Sequence, residues 1–551
     1  MLRKLAFHPL PFALYPILFL FAHNTGQFAD DQVQTPLVVV AVATAIVWLV
    51  LGIIVGDWRR AAIVTSLAAL FFFSYGYAYS LVANARIGGF EIGRHRYLLA
   101  VWGAAFVAGA YGAIRYRADL GAITRALNFV SIILVVFPLT QIAAYEARRG
   151  TTGGAALDVP DPTLAAYDRR PSPPADSLPD IYYLILDGYG SRDVLRTFYR
   201  YDNGAFIDSL TRRGFSVAND SKTNYNQTML SLSSSMNLMY LDGIIAAVGK
   251  ESTSREPLQQ LVQESRLYRF LKRRGYRVVV FHSDVYPQAA DKADLHLRSP
   301  HALDEFSAAV LRMTPVPGFF GTMCTHSGLL WRIGFCDLST DGRRRNDRLD
   351  FFARLKTVPD LPSPKFVFGH VFLPHPPFLF GPNGERVVLP DRDSPRDGSQ
   401  FYEDGGTRRG YFEGYSAQVT FVNRKALEAV DAILARSRRP AVIILQGDHG
   451  PGMLSDWKSL ENTNVHERFG VLNAYYFPGG DRGVLYPGIS PVNSFRVVLN
   501  RYFGTAFPLL EDRSYYATWD RPYDLADVTL ALRGGADSAR VVPPRQASAA
   551  R

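Results

Sequence analysis

Acids and imidazoles recur at one kind of position along this chain. Asp187, the pair His282 and Asp284, the pair His370 and His375, and the pair Asp448 and His449 all sit on or at the end of short apolar runs. The runs are IYYLILDG (181–188), YRVVVFHSD (276–284), KFVFGHVFLPH (365–375) and AVIILQGDHG (441–450). Apolar, β-branched stretches of this length read as buried strands. A single Asp at a strand end is ordinarily a turn former. Four strands delivering such groups together predict a site, because open α/β sheets bind ligands outside the carboxyl ends of their strands. Carboxylate oxygen and neutral imidazole nitrogen suit one divalent metal ion, zinc or manganese. The expected ligands are Asp187, Asp448 and His449. Neighbours on an extended strand point to opposite faces, so Gly450 is expected to let the chain turn where Asp448 and His449 must converge.

The candidate nucleophile lies in NYNQTMLSLSSSMNL (224–238). A hydroxyl is a poor nucleophile until a metal or a base activates it. Thr228 is expected at the mouth of a helix starting near Met229, where free backbone N–H groups favour a phosphoryl oxygen. The local sequence allows equally that Thr228 only caps this helix. Ser231, Ser233, Ser234 and Ser235 would then serve to pack the helix on the sheet.

These residues need a scaffold, and the pattern supplies one. The strand-like runs alternate with amphipathic stretches such as FVNRKALEAVDAILARS (421–437). That alternation predicts an α/β domain over 179–533 with a mostly parallel central sheet. A different kind of chain precedes it. Five apolar segments, 9–23, 37–55, 62–82, 97–114 and 127–145, predict a five-helix transmembrane bundle over 1–145. Arg3 and Lys4 before the first segment are compatible with a signal peptide. No small-x-small cleavage site follows and four more spans do, which favours an uncleaved first helix. Arg3 and Lys4, Arg59 and Arg60, and Arg115, Arg117 and Arg125 flank alternate segment ends. The loop after the first segment holds Asp30 and Asp31, and the loop after the third holds Arg86, Arg94 and Arg96. The sum predicts a cytoplasmic N-terminus and, after five crossings, an extracytoplasmic catalytic domain. Gly, Pro and small polar residues mark 146–178 as a linker and 534–551 as a disordered tail.

The net charge of +10 could suggest a nucleic-acid partner. The Arg residues are scattered, however, with no basic stripe interleaved with aromatics, so none is expected. Membrane topology and an anionic lipid surface account for the excess better. The two cysteines, Cys324 and Cys336, allow either one disulfide or two buried thiols, and are too few for a zinc knuckle.

Taken together, PDIYYLILDGYG, NQTMLSLSSSM, FHSD, GHVFLPHPPF and LQGDHG resemble the alkaline-phosphatase superfamily. The likeness is to its membrane-bound sulfatase-like branch, which includes lipoteichoic acid synthases and lipid A phosphoethanolamine transferases. The resemblance implies that Asp187, Asp448 and His449 bind the metal and that Thr228 is both nucleophile and metal contact. It implies that His282 and His375 serve catalysis beside the substrate phosphate, with Asp284 and His370 also binding substrate. Thr228 is followed by MLSLS rather than a Pro-x-Arg context, which argues against a formylglycine sulfatase. The function implied is a metal-dependent phosphotransferase or phosphodiesterase. It would act on phospholipid headgroups or envelope glycans through a phospho-threonine, with a phospholipid donor and an envelope glycan or lipid acceptor. One alternative is a sulfatase-like hydrolase, acting as a phosphatase, a phosphodiesterase or a sulfuric ester hydrolase. The other is a non-catalytic membrane receptor for a phosphorylated envelope component. The helices hold few ionisable residues, so they are expected to anchor rather than transport.

Overall fold

The computed structural model describes residues 6–25, 28, 30–83, 85–87, 90–116, 119–152, 178–281, 293–325, 327–389, 396–480 and 483–534. The chain forms two compact units. The first comprises Met1–Gly154, Leu303–Arg343 and Val388–Asp393, and the second Ala155–Ala302, Arg344–Val387 and Ser394–Arg551.

The first unit is built on α1 (Pro9–His23), α2 (Asp30–Val55), α3 (Trp58–Val82), α4 (His95–Arg115) and α5 (Gly121–Thr152). Among the described residues, α2 to α5 are the four helices long and apolar enough to cross a membrane. Four of the five expected spans are therefore met by length, and the fifth, α1, is apolar but shorter. Helix α1 has 15 residues, about 22 Å at the usual helical rise, against a hydrocarbon core of about 30 Å. Val38, Ile53, Val101, Val107 and Phe129 lie exposed along α2, α4 and α5. An apolar surface of that extent requires lipid around it, and the chain is an integral membrane protein. Helix α1 coincides with its expected segment, and α2 to α5 exceed theirs, because hydropathy marks the apolar stretch while the backbone bonds continue into polar flanks such as Trp58-Arg59-Arg60. Asp57 caps α3 by accepting from the N–H groups of Arg59 and Arg60.

The second unit carries the sheet. Its strands are β1 (Asp180–Leu186), β2 (Phe215–Val217), β3 (Arg277–Phe281), β4 (Leu295–Leu297), β5 (Lys365–Val371), β6 (Ala441–Gln446) and β7 (Asn473–Tyr476). They lie in the order β2-β7-β6-β1-β5-β3-β4. The pairs from β6 to β4 are parallel, whereas β7 runs antiparallel to both β6 and β2. Every residue of β1, β5 and β6 is buried, as a parallel sheet covered on both faces requires. On one face Tyr183, Ile185, Phe368 and Ile444 meet Leu232 and Met236 of the Thr228–Asn237 helix, together with Phe495 and Val498 of the Pro491–Phe503 helix. Each such buried side chain contributes about 1.5–3 kcal/mol. The register sets Ile185 beside His370 and Gln446, so the ends of three central strands come level. The stretch expected to be an amphipathic helix at 421–437 lies mostly within a longer one, Arg408–Arg436.

Candidate active site

Three adjacent strands end at one place. Asp187 follows β1, Asp448 and His449 follow β6, and His370 stands near the end of β5. All four are buried. Gly188 adopts φ +70, a left-handed turn that a side chain would strain, and its N–H donates to Asp448 Oδ1 at 3.1 Å. Gly450 has another role from the one expected. It is absent from the described positive-φ glycines, and a Cβ there would lie 2.1 Å from the Glu467 carbonyl oxygen. The glycine permits close approach of two backbones, sealed by its N–H donating to the Arg468 carbonyl at 2.7 Å.

Two carboxylates in this cluster are incompletely matched. Asp187 Oδ2 lies 3.1 Å from His370 Nε2, while Asp187 Oδ1 and Asp448 Oδ2 have no hydrogen-bond partner among the described residues. His449 Nε2 lies 3.5 Å from that Asp187 oxygen and 3.4 Å from that Asp448 oxygen. His449 Nδ1 is 2.9 Å from the Gly450 carbonyl and donates to it, which leaves Nε2 as the lone-pair nitrogen. Burial, with Arg468 close by, holds the His449 pKa below its ordinary value, so the ring stays neutral. Burial alone would raise the Asp187 pKa. His375, the hydrogen bond to His370 and the nearby His449 outweigh it and pull the carboxyl below its usual range.

Unmatched buried carboxylate oxygens are costly, and here they converge with an imidazole lone pair. Asp187, His370 and Asp448 each offer a ligand atom, all within 4.8 Å of one another. The donor set of carboxylate, imidazole and hydroxyl fits a divalent cation such as zinc or manganese. Asp187, Asp448, His449 and Thr228, with His370 behind Asp187, are the residues that could hold it.

Thr228 completes the cluster. It opens the Thr228–Asn237 helix, whose N-cap is Gln227 with no side-chain cap bond. Its hydroxyl does not cap the helix but lies 3.1 Å from His449 Nε2. The serines behind it have packing roles. Ser231 joins Thr223 in donating to the Asp448 carbonyl, at 2.8 and 2.6 Å, and Ser235 meets the Tyr183 hydroxyl at 3.1 Å. Asn226 and Gln227 fasten the approach to Thr228 by donating to the Ala517 carbonyl at 2.9 and 3.0 Å.

His375 stands one layer out, half-buried, with Nδ1 2.6 Å from the Pro376 carbonyl and Nε2 3.7 Å from Asp397 Oδ2. His282 and Asp284 lie outside the described residues. Sequence reasoning passed over Asp397 and Arg468. The buried Arg468 guanidinium donates to Asp397 Oδ2 at 2.9 Å, to the Gly450 carbonyl at 3.0 Å and to the Asn226 carbonyl at 2.9 Å. It thereby ties the loop after β6 to the loop before Thr228. Tyr411 donates to Asp397 Oδ1 at 2.7 Å. Burial would raise the Asp397 pKa, but His375 and Arg468 hold it low. A local signal for this pair was missing: Asp397 lies in SPRDGSQ, which reads as a turn, and Arg468 in the short Val465–Phe469 helix.

No protein-family model matches the chain, and none of the curated proteins does. Solved structures resemble it at low identity. The zinc complex of the C-terminal periplasmic domain of EptC from Escherichia coli is 11% identical, over 67% of this chain and 96% of that one, with a TM-score of 0.42. The integral membrane lipooligosaccharide phosphoethanolamine transferase A from Neisseria meningitidis is 14% identical over 91% of this chain and 96% of that one, with a TM-score of 0.36. A 2-O GAG sulfatase is 12% identical over 62% of this chain and 73% of its own, with a TM-score of 0.38.

Proposed function

We propose that this protein is a membrane-anchored, divalent-metal-dependent phosphotransferase or phosphodiesterase that acts on phospholipid headgroups through a phospho-threonine at Thr228. The observation that carries this reading is the Thr228 hydroxyl at a helix N-terminus, 3.1 Å from His449 Nε2 and beside two buried, unmatched carboxylate oxygens. A divalent cation held there would polarise the hydroxyl and neutralise phosphoryl oxygens.

The residues divide the remaining work. The free N–H groups at the start of the Thr228–Asn237 helix favour the substrate phosphate. Thr228 Oγ1 attacks phosphorus and releases its proton to solvent, as the bond from phosphorus to the diacylglycerol oxygen breaks. His375, with Nδ1 bound to a carbonyl and Nε2 facing Asp397, gives a proton to the leaving alkoxide. An acceptor hydroxyl, on an envelope glycan or lipid, then takes the headgroup and restores Thr228. The bundle holds the site near its lipid donor and raises the effective donor concentration.

The proposed topology counts α1 as a fifth crossing beside α2 to α5, and so has the N-terminus in the cytoplasm and the catalytic unit outside. Supporting it, Cys324 and Cys336 form a disulfide, a bond that persists in oxidising compartments. The segment that carries it is continuous in sequence with the catalytic unit on both sides.

The test is turnover of headgroup-labelled phospholipid by the full-length protein in vesicles, with manganese or zinc, with and without a glycan or lipid acceptor. Label transferred to the acceptor supports transfer, and label released to water supports hydrolysis. Unchanged lipid under all metal conditions would sink the reading.

A further inference from the structure

Residues 303–343 are an excursion. The chain leaves the sheet-bearing unit after Ala302, joins the compact unit of the membrane helices, and returns at Arg344. The stretch MTPVPGFFGTMCTHSGLLWRIGFC (313–336) contains one Lys, Arg, Asp or Glu, Arg332. That composition is unlike the solvated loops around it, and it is too broken by Pro and Gly to be a span. It forms the short helices Val316–Thr325 and Gly328–Arg332 and the turn Phe335–Leu338. The Cys324–Cys336 disulfide closes it, and the Trp331 indole donates to the Cys324 carbonyl at 2.9 Å.

The excursion is seated on one end of the helical bundle at backbone distance. Gly76 donates its N–H to the Met313 carbonyl at 2.9 Å, and a Cβ at Gly76 would lie 2.0 Å from the Arg312 carbonyl oxygen. A Cβ at Gly318 would lie 2.5 Å from His95 Nδ1. Phe306 packs edge-on against Phe21 and Phe28, with ring centroids 6.1 and 5.2 Å away, and joins a buried cluster with Ile17, Val33 and Phe73. These contacts involve the C-terminal parts of α1 and α3, the N-terminal parts of α2 and α4, and the loop after α1. The excursion therefore sits where the apolar helices meet their water-facing loops.

On that seat it displays apolar side chains. Phe319 is 48% exposed, Leu329 66%, Ile333 66% and Leu338 58%. A patch of this kind marks an interaction surface. Its occupant follows from continuity, since the adjoining helices expose Val38, Val101 and Val107 to lipid. One Arg beside a Trp in an apolar stretch whose only acid is Asp337, at its end, is the composition of an interfacial element.

We propose that residues 313–338 form a disulfide-closed foot that lies in the lipid–water interface, with Phe319, Leu329, Ile333 and Leu338 inserted among phospholipid acyl chains. The foot is independent of the chemistry at Thr228. It gives the sheet-bearing unit two further chain connections to the bilayer, through Ala302 and Arg344, beside the one that follows α5.

Photo-crosslinking of the full-length protein in phospholipid nanodiscs tests this. p-Benzoylphenylalanine is placed singly at Leu329, Ile333 or Leu338. Ile53 on α2 serves as the lipid-facing control, and the exposed Leu530 in the second unit as the aqueous one. The expected result is a phospholipid mass adduct at positions 329, 333 and 338, as at 53, with none at 530. Adducts at 53 with none at the three foot positions would overturn the proposal. Crosslinks from the foot to a second copy of the chain, in place of lipid, would overturn it too and assign the patch to a dimer contact.

Discussion

Asp180 and Asp187 stand at opposite ends of the same strand region, and both are wholly buried. At the amino end of the sheet, Asp180 is saturated. It accepts from the Lys365 N–H at 3.0 Å, from Ser363 Oγ at 2.9 Å and from the Lys365 ammonium. That ammonium also donates to the carbonyls of Pro359 and Leu361. At the carboxyl end, Asp187 and Asp448 each leave one oxygen without a hydrogen-bond partner among the described residues. A buried charge without its partner costs several kcal/mol. The amino end meets that cost within the protein, while the carboxyl end leaves it for a ligand to meet. On the proposed function, the difference separates a structural acid from a chemical one, although both are equally hidden from water.

The contrast can be broken at either end. Asp448→Asn or Thr228→Ala should lower phospholipid turnover on the order of 10³-fold, the upper range for removing one charge-stabilising group. Thermal unfolding without metal should stay level or rise, since an uncompensated charge is lost in the first variant. Asp180→Asn should do the reverse. It leaves Lys365 uncompensated and costs about 3–5 kcal/mol in denaturant unfolding, while turnover per folded molecule stays unchanged.

Divalent metal sharpens the same comparison. Zinc or manganese at a hundredfold excess over its dissociation constant should stabilise the wild type by about 2.7 kcal/mol. The same addition should leave Asp448→Asn near its starting melting temperature. A smaller effect concerns pH. Burial pushes the Glu467 carboxyl up to about 8, outweighing its hydrogen bonds from Tyr199 and Leu454. A folded pKa above the unfolded value gives stability that is complete below about 4.5 and lost as pH rises through about 8. Glu467→Gln should remove that decline, so urea midpoints of the two proteins should diverge between pH 5 and 9 in favour of the variant.

The strand ends were legible because their physics is local. An apolar β-branched run that stops at Asp-Gly, as at Leu186-Asp187-Gly188, carries both the burial and the turn in adjacent residues. Thr228 at a helix start was legible for the same reason, whereas its association with His449, 221 positions away, followed only from the family resemblance. The Asp397–Arg468 pair was illegible, since neither residue is unusual where it stands and their contact spans 71 positions. The role of Gly450 was misjudged, because a close approach to Glu467 is a tertiary fact that no local backbone preference records. The excursion at 303–343 escaped as well. Hydropathy windows find long spans, and this segment offers helices of five to ten residues whose seat on α3 and α4 is built from Gly76 and Gly318.

The most direct measurement is the mass of the tryptic peptide containing Thr228, from full-length protein acid-quenched during turnover of phospholipid with manganese or zinc. The expected result is an increment equal to the donor's phosphoryl headgroup, absent when metal is withheld and absent in Thr228→Ala. Sustained turnover by Thr228→Ala, with no increment on the wild-type peptide, would contradict a covalent role for this threonine.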